Sequence, residues 1–288
     1  MVNLETLTKL PLPQHHPSRV PRVIGDGESI AFVTENGTVT WWDFHNTQAP
    51  PVFMDLVSPE TGGHFGVYVG DAVSEKAIIP KRQGYVGDTN VLETVLGDGT
   101  VDVIMHDFVP IGERLLVKRL TIKNTGQDER FLQVMPDVMH NPEIEMDLEE
   151  RAGGIISRNH QSTFSANFTP NVGESHYSIK PGETIVLNFA LAYGDDTSLE
   201  RAFHLDDDIV TGLYGRTIDH WTNIVSKLNL PTSEELQKNT KRLALGMLLL
   251  LDDKTGAALA SPTTSLPSVP FELENDAWDY RAAWLRDG

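Results

Sequence analysis

Short apolar runs separated by turn-forcing residues recur along the first two thirds of this chain, and that punctuation leaves few folds open. Ile30-Ala31-Phe32-Val33 and Val39-Thr40-Trp41-Trp42 flank Asn36-Gly37, a pair that supplies the positive φ angles of a tight turn. The pattern repeats downstream. Val91 to Leu96 and Val101 to Met105 flank Gly97-Asp98-Gly99, Leu115 to Lys123 and Arg130 to Val138 flank Asn124-Thr125-Gly126, and Thr184 to Tyr193 follows Lys180-Pro181-Gly182-Glu183. No long helical period interrupts the series. It therefore predicts a mainly β fold, an antiparallel β-sandwich, rather than a parallel sheet with crossover helices.

After Gly194 the pattern changes. Asp206-Asp207-Asp208 offers caps for a helix over 209–228, where Ile209, Leu213, Thr217, Trp221 and Val225 recur every fourth place and Ile218 and Ile224 widen the stripe. A second helix is expected after Pro231, with Thr232 and Glu235 at capping-box spacing, running to about residue 252. The expected division is a β-sandwich domain over 1–195, a helical linker over 196–230 and the opening of a helical domain over 231–288. The apolar run Leu243 to Leu251 is well short of the roughly 20 residues that span a membrane. It reads as a helix covered by protein.

Composition removes several function classes. A net charge of −18, from 41 acidic against 23 basic residues, repels polyphosphate, so nucleic acid is not an expected partner. The absence of cysteine excludes disulfides, thiol nucleophiles and cysteine-based metal sites. The first eleven residues show no basic stretch followed by an apolar one, so no secretory signal is read and the expected compartment is the cytoplasm, with no membrane partner. His15 and His16 are sequence neighbours, and no His-x3-His or His-Glu-x2-His occurs, so no metal is expected. Gly25-Asp26-Gly27 would need a glycine where Ile30 stands to be a dinucleotide loop, and no Gly-x-Ser-x-Gly occurs.

The chemistry lies in the last ten residues, Asp279-Tyr280-Arg281-Ala282-Ala283-Trp284-Leu285-Arg286-Asp287-Gly288. Aromatic faces beside an adjacent cation and carboxylate can grip a sugar, the rings stacking on C–H faces while the charges bond hydroxyls. Together with Leu259-Ala260-Ser261-Pro262-Thr263-Thr264-Ser265-Leu266-Pro267 and Trp278, this stretch resembles the start of the catalytic domain of glycoside hydrolase family 15. That family comprises bacterial and archaeal glucoamylase, glucodextranase and trehalase-like proteins. Ile24-Gly25-Asp26-Gly27, Asn36 to Trp41, Gly62-Gly63-His64-Phe65 and Gly87-Asp88-Thr89-Asn90-Val91-Leu92-Glu93-Thr94 resemble blocks of its N-terminal sandwich.

The resemblance implies an exo-acting, inverting hydrolase of terminal α-linked glucose, glucoamylase-like with trehalase and glucodextranase as alternatives, needing no cofactor. It assigns substrate binding to Tyr280, Trp284, Arg286 and Asp287, with Tyr280 and Trp284 as walls of the innermost subsite. It also implies that the helices after 231 open an (α/α) barrel too large for this chain. The chain then reads as the front portion of a longer enzyme, with the catalytic acid and base glutamates beyond Gly288 and the rest of the barrel as its partner. The alternative from another class is a non-catalytic β-sandwich that binds polysaccharide or a partner protein. Trp41, Trp42, Phe44, Tyr68 and Tyr85 would form its glycan surface, although aromatics in strands are more often core or inter-domain contact. The acidic run Glu143 to Glu150 is read as a solvated loop or strand edge rather than a catalytic pair.

Overall fold

The computed structural model describes residues 21–44, 51–55, 63–70, 75–138, 147–151, 154–158, 163–169, 176–193, 196–252, 255–263 and 280–283. Among these, the strands are β1 (Arg22–Gly25), β2 (Ser29–Val33), β3 (Val39–Phe44), β4 (Gly63–Gly70), β5 (Glu75–Ala77), β6 (Pro80–Tyr85), β7 (Leu92–Gly97) and β8 (Val101–Phe108). They continue with β9 (Leu115–Asn124), β10 (Arg130–Val138), β11 (Asp147–Arg151), β12 (Gly154–Arg158), β13 (Thr163–Thr169), β14 (His176–Ile179) and β15 (Thr184–Tyr193). Three helices follow: α1 (Asp196–Phe203), α2 (Asp207–Val225) and α3 (Glu234–Leu248).

The strands form two antiparallel sheets. One has the order β1-β2-β3-β4-β10-β14 with β5 added beside β4, and the other the order β11-β12-β13-β15-β9-β8-β7-β6. Among the described residues their inner faces meet in two apolar clusters. Phe65, Val67, Val69, Leu132, Val134 and Ile179 of the first sheet pack on Leu96, Val103, Met105, Leu120, Ile122, Leu187 and Phe189 of the second. This is the expected sandwich, and alternation of inward and outward residues along each strand builds it.

The β2–β3 hairpin shows how turn chemistry positions the interior. Gly37 takes φ +88°, and a Cβ there would lie 2.5 Å from Met105 Cε and 3.2 Å from Lys118 Nζ. The glycine therefore serves both the turn and its close approach to β8 and β9. Beneath it, Lys118 bonds Asp107, its registered partner across the β8–β9 ladder, with its ammonium 4.8 Å from the Phe65 ring centroid.

The helices cover the outer faces. Ala202 of α1 and Val210 and Leu213 of α2 pack on Phe108, Leu115, Val117, Ala190 and Ala192 of the second sheet. The far end of α2 carries Trp221 and Val225 onto Ile30 of β2, together with Leu245 and Leu249. Nineteen residues of helix span roughly 28 Å, enough to bridge from one sheet's outer face to the other's.

The helical expectations need correction in detail. In α2 the buried stripe is Val210, Leu213, Thr217, Trp221 and Val225, and Asp206 caps it by accepting from the Ile209 N–H. Val210 thus takes the fully buried place expected of Ile209. In the next helix the N-cap is Ser233 without a side-chain cap bond, so the Thr232–Glu235 capping box does not form. That helix also stops at Leu248, short of residue 252. The chain turns there because the following residues pair with each other: Leu251 bridges Ala258, and the Asp252 N–H donates to Ala257 O at 2.9 Å.

Candidate functional site

Of the residues assigned to sugar binding, Tyr280 is described and is partly buried. Trp284, Arg286 and Asp287 lie outside the described residues, as do His15 and His16. The described part of the tail, 280–283, is held on two sides. Its backbone pairs with the segment after α3, the Ser261 N–H donating to Tyr280 O at 3.0 Å and the Ala260 N–H to Ala282 O at 3.1 Å. Between them, Arg281 Nη1 donates to Asp43 Oδ2 at 2.8 Å, with both side chains largely buried. Strand alternation puts Trp42 on the inner face with Phe53 and Leu92 and Asp43 on the outer face, opposite Ile30. The tail is therefore docked on the outer face of the sandwich.

A second latch joins the sandwich to α3. Arg242 Nη1 donates to Thr89 O at 2.9 Å, and its other terminal nitrogen donates to Asn90 Oδ1. Asn90 Nδ2 donates to Leu245 O at 3.2 Å. The guanidinium lies 3.8 Å from the Tyr85 ring centroid, a cation–π geometry. Val86 O accepts from the Thr89 hydroxyl at 2.6 Å, which shapes the loop. Local patterns did not point to either latch, since each joins residues more than a hundred positions apart. The one sequence signal was polar residues, Asp43 and Asn90, set against apolar strand residues.

Other candidates resolve into structure. Trp41 and Trp42 are fully buried, and the Tyr85 hydroxyl donates to Val23 O at 2.9 Å, so these three present no open glycan surface. Glu149 and Glu150 sit on β11, an edge strand, while 143–146 lie outside the described residues. Asp26 closes the β1–β2 turn, its Oδ1 accepting from the Ser29 and Glu28 N–H groups at 2.8 and 3.0 Å. Burial raises its carboxyl to about 6 despite those two donors. Burial likewise raises Asp107, against the pull of the Lys118 ammonium.

A cleft of about 780 Å³ opens beside α1, lined by Glu28, Glu113, Arg114, Glu200, Arg201 and His204. Arg201 lies 3.6 Å from Glu113, so opposite charges face one another there, and none of the described tail residues lines it. Among the described residues no cluster of three metal-ligating side chains occurs, and no helix is long and apolar enough to cross a membrane.

Residues 14–156 match the family model for the trehalase-like N-terminal domain. That segment is similar to the trehalase-like N-terminal domain. The matched segment ends within β12, and the same sheet continues through β13 and β15, so the sandwich extends beyond the matched span. Trehalase 1 of Sulfolobus acidocaldarius is 26% identical over 269 residues, covering 92% of this chain and 43% of that protein. The trehalase of Thermoplasma acidophilum is 24% identical, covering 88% and 43%, and that of Mycobacterium tuberculosis 24% identical, covering 92% and 41%. The chain spans less than half the length of these curated relatives. A bacterial glucoamylase solved with acarbose shares the fold at TM-score 0.59 and 11% identity, over 96% of this chain and 48% of that one. The sequence likeness is to trehalases and the fold likeness to a bacterial glucoamylase.

Proposed function

We propose that this chain is the N-terminal portion of an inverting, exo-acting α-glucoside hydrolase that works in the cytoplasm. Its substrate is terminal α-linked glucose, with trehalose the first compound to test because several relatives are named trehalases. In this reading residues 1–195 are the sandwich domain, 196–230 the linker and 231–288 the opening of an (α/α) barrel. Tyr280 and Trp284 wall the innermost glucose subsite, and Arg286 and Asp287 bond its hydroxyls.

The observation that carries the reading is the docking of the tail. Arg281 is buried on Asp43, and the neighbouring carbonyls of Tyr280 and Ala282 are taken up by Ser261 and Ala260. A sugar-recognising edge needs such a hold, because rings and charges must stay in place for stacking and hydrogen bonding to discriminate a substrate. Inversion requires two carboxyls about 6.5–9.5 Å apart, one protonating the leaving oxygen and one activating water. Both belong to the segment after Gly288, so the 288-residue chain is expected to be inactive alone.

The test is to assay the complete gene product on trehalose, maltose, isomaltose and soluble starch while following the released sugar by proton NMR. From starch, β-glucose should appear first and then mutarotate, and trehalose should give α- and β-glucose in equal initial amounts, because the leaving glucose keeps its α configuration. Initial release of α-glucose alone from starch or trehalose, or no hydrolysis of any of the four, would refute the assignment.

A further inference from the structure

The contacts around Asp43 close into a ring. Ile30 on β2 packs with Leu249 at the end of α3. Leu250 O accepts from the Leu259 N–H at 2.9 Å, and Ala260 and Ser261 then donate to the carbonyls of Ala282 and Tyr280. Arg281, between those two residues, reaches Asp43 at 2.8 Å. Asp43 is the registered partner of Ile30, so the ring ends on the rung where it began.

We propose that Asp43 is a positioning residue for substrate recognition: its buried ion pair with Arg281 is the tie by which the sandwich aims the sugar-binding tail. The proposal rests on the reading of that tail given under Proposed function. Backbone pairing holds one edge of the segment, and the Arg281–Asp43 pair holds it to the sheet through a side chain. Asp43 suits this task because the pair is shielded from water, with side-chain exposures of 6% for Asp43 and 14% for Arg281, so neither salt nor solvent competes strongly for the bond. With the carbonyls on both sides of Arg281 taken up and its side chain on Asp43, Tyr280 is held in place beside it. The sandwich thereby contributes to sugar affinity without touching the sugar.

The test has two arms. In the 288-residue chain, hydrogen exchange at the Ala260 and Ser261 amides reads tail docking without any activity. Asp43→Ala is expected to speed both at least ten-fold and to leave the Leu259 amide unchanged. In the complete gene product, the same substitution is expected to lower kcat/KM for the preferred glucoside at least ten-fold, carried mainly by KM. Arg281→Lys in the otherwise unchanged protein, which keeps a cation opposite Asp43, should show only a small part of that loss. Should Asp43→Ala fail to fold, Asp43→Asn combined with Arg281→Gln leaves no unpaired buried charge and is expected to give the same exchange and KM effects.

Unchanged exchange at Ala260 and Ser261 overturns the tie, whatever the tail binds. Faster exchange with unchanged KM shows a tie that aims nothing at the sugar and overturns the positioning role. A gene product that hydrolyses no glucoside refutes the functional reading, and the positioning role falls with it, a failure recognised because the exchange result stands on its own.

Discussion

Replacing Arg242 by methionine should cost far more stability than replacing its neighbour Lys241. Arg242 gives one hydrogen bond to Thr89 O and another to Asn90 Oδ1, and its guanidinium stacks on the Tyr85 ring. Hydrogen bonds from a charged donor contribute about 1.5–3 kcal/mol each, and a partly exposed cation–π contact about 0.5–1 kcal/mol. Arg242 is itself only partly buried, so water recovers part of the loss and the methionine stem keeps some packing. The net cost expected is about 2–3 kcal/mol. Lys241 instead pairs with Asp88 at 2.7 Å where both side chains meet solvent, a contact worth under about 1 kcal/mol. Equilibrium unfolding in urea separates the two, because a stability change moves the midpoint at constant slope. Equal midpoint shifts for the two variants would refute the latch.

Asp26 has a carboxyl raised by burial to about 6, so the native state holds its proton more tightly than the unfolded chain. The cost of ionising it is absent below about pH 4 and grows as pH rises through about 6. Asp26→Asn keeps an acceptor for Ser29 and Glu28 and removes that cost. It should raise stability by about 1–2 kcal/mol at pH 7.5, after a discount for the part of the side chain that meets water, and by nothing at pH 3.5. A gain independent of pH contradicts this cause. On α3, Leu236, Leu243 and Met247 are exposed along one stripe of the helix. The 288-residue chain should therefore bind a hydrophobic dye, and Leu243→Gln with Met247→Gln should abolish most of that binding while shifting stability by less than about 0.5 kcal/mol. In the complete gene product, Asp287→Ala should lower kcat/KM by roughly one to two orders of magnitude, the worth of one charged hydrogen bond to a sugar hydroxyl. Unchanged turnover removes Asp287 from the site.

The hairpins were legible because a turn is a local event. Asn36-Gly37 between two apolar runs specifies a reversal whatever surrounds it, and β2 and β3 form on either side. The stripe of α2 was legible for the same reason, since period alone places Leu213, Thr217, Trp221 and Val225 on one face. Spacing misled at the start of α3, where Thr232 and Glu235 fit a capping box and Ser233 takes the cap. There the helix is held by Arg242 and Asn90 rather than by its own end. The tail's composition pointed to a sugar, but its anchoring could not be read in advance. The bond from Arg281 to Asp43 crosses 238 positions, and no local pattern reports a contact that only the folded sheet brings together.

The most direct measurement of the central claim is a crystal structure of the complete gene product with glucose bound. The account predicts the sugar against the Tyr280 and Trp284 rings, with Arg286 and Asp287 within about 2.7–3.2 Å of its hydroxyls and Arg281 still on Asp43. A glucose bound elsewhere, with the tail touching none of it, would contradict the account.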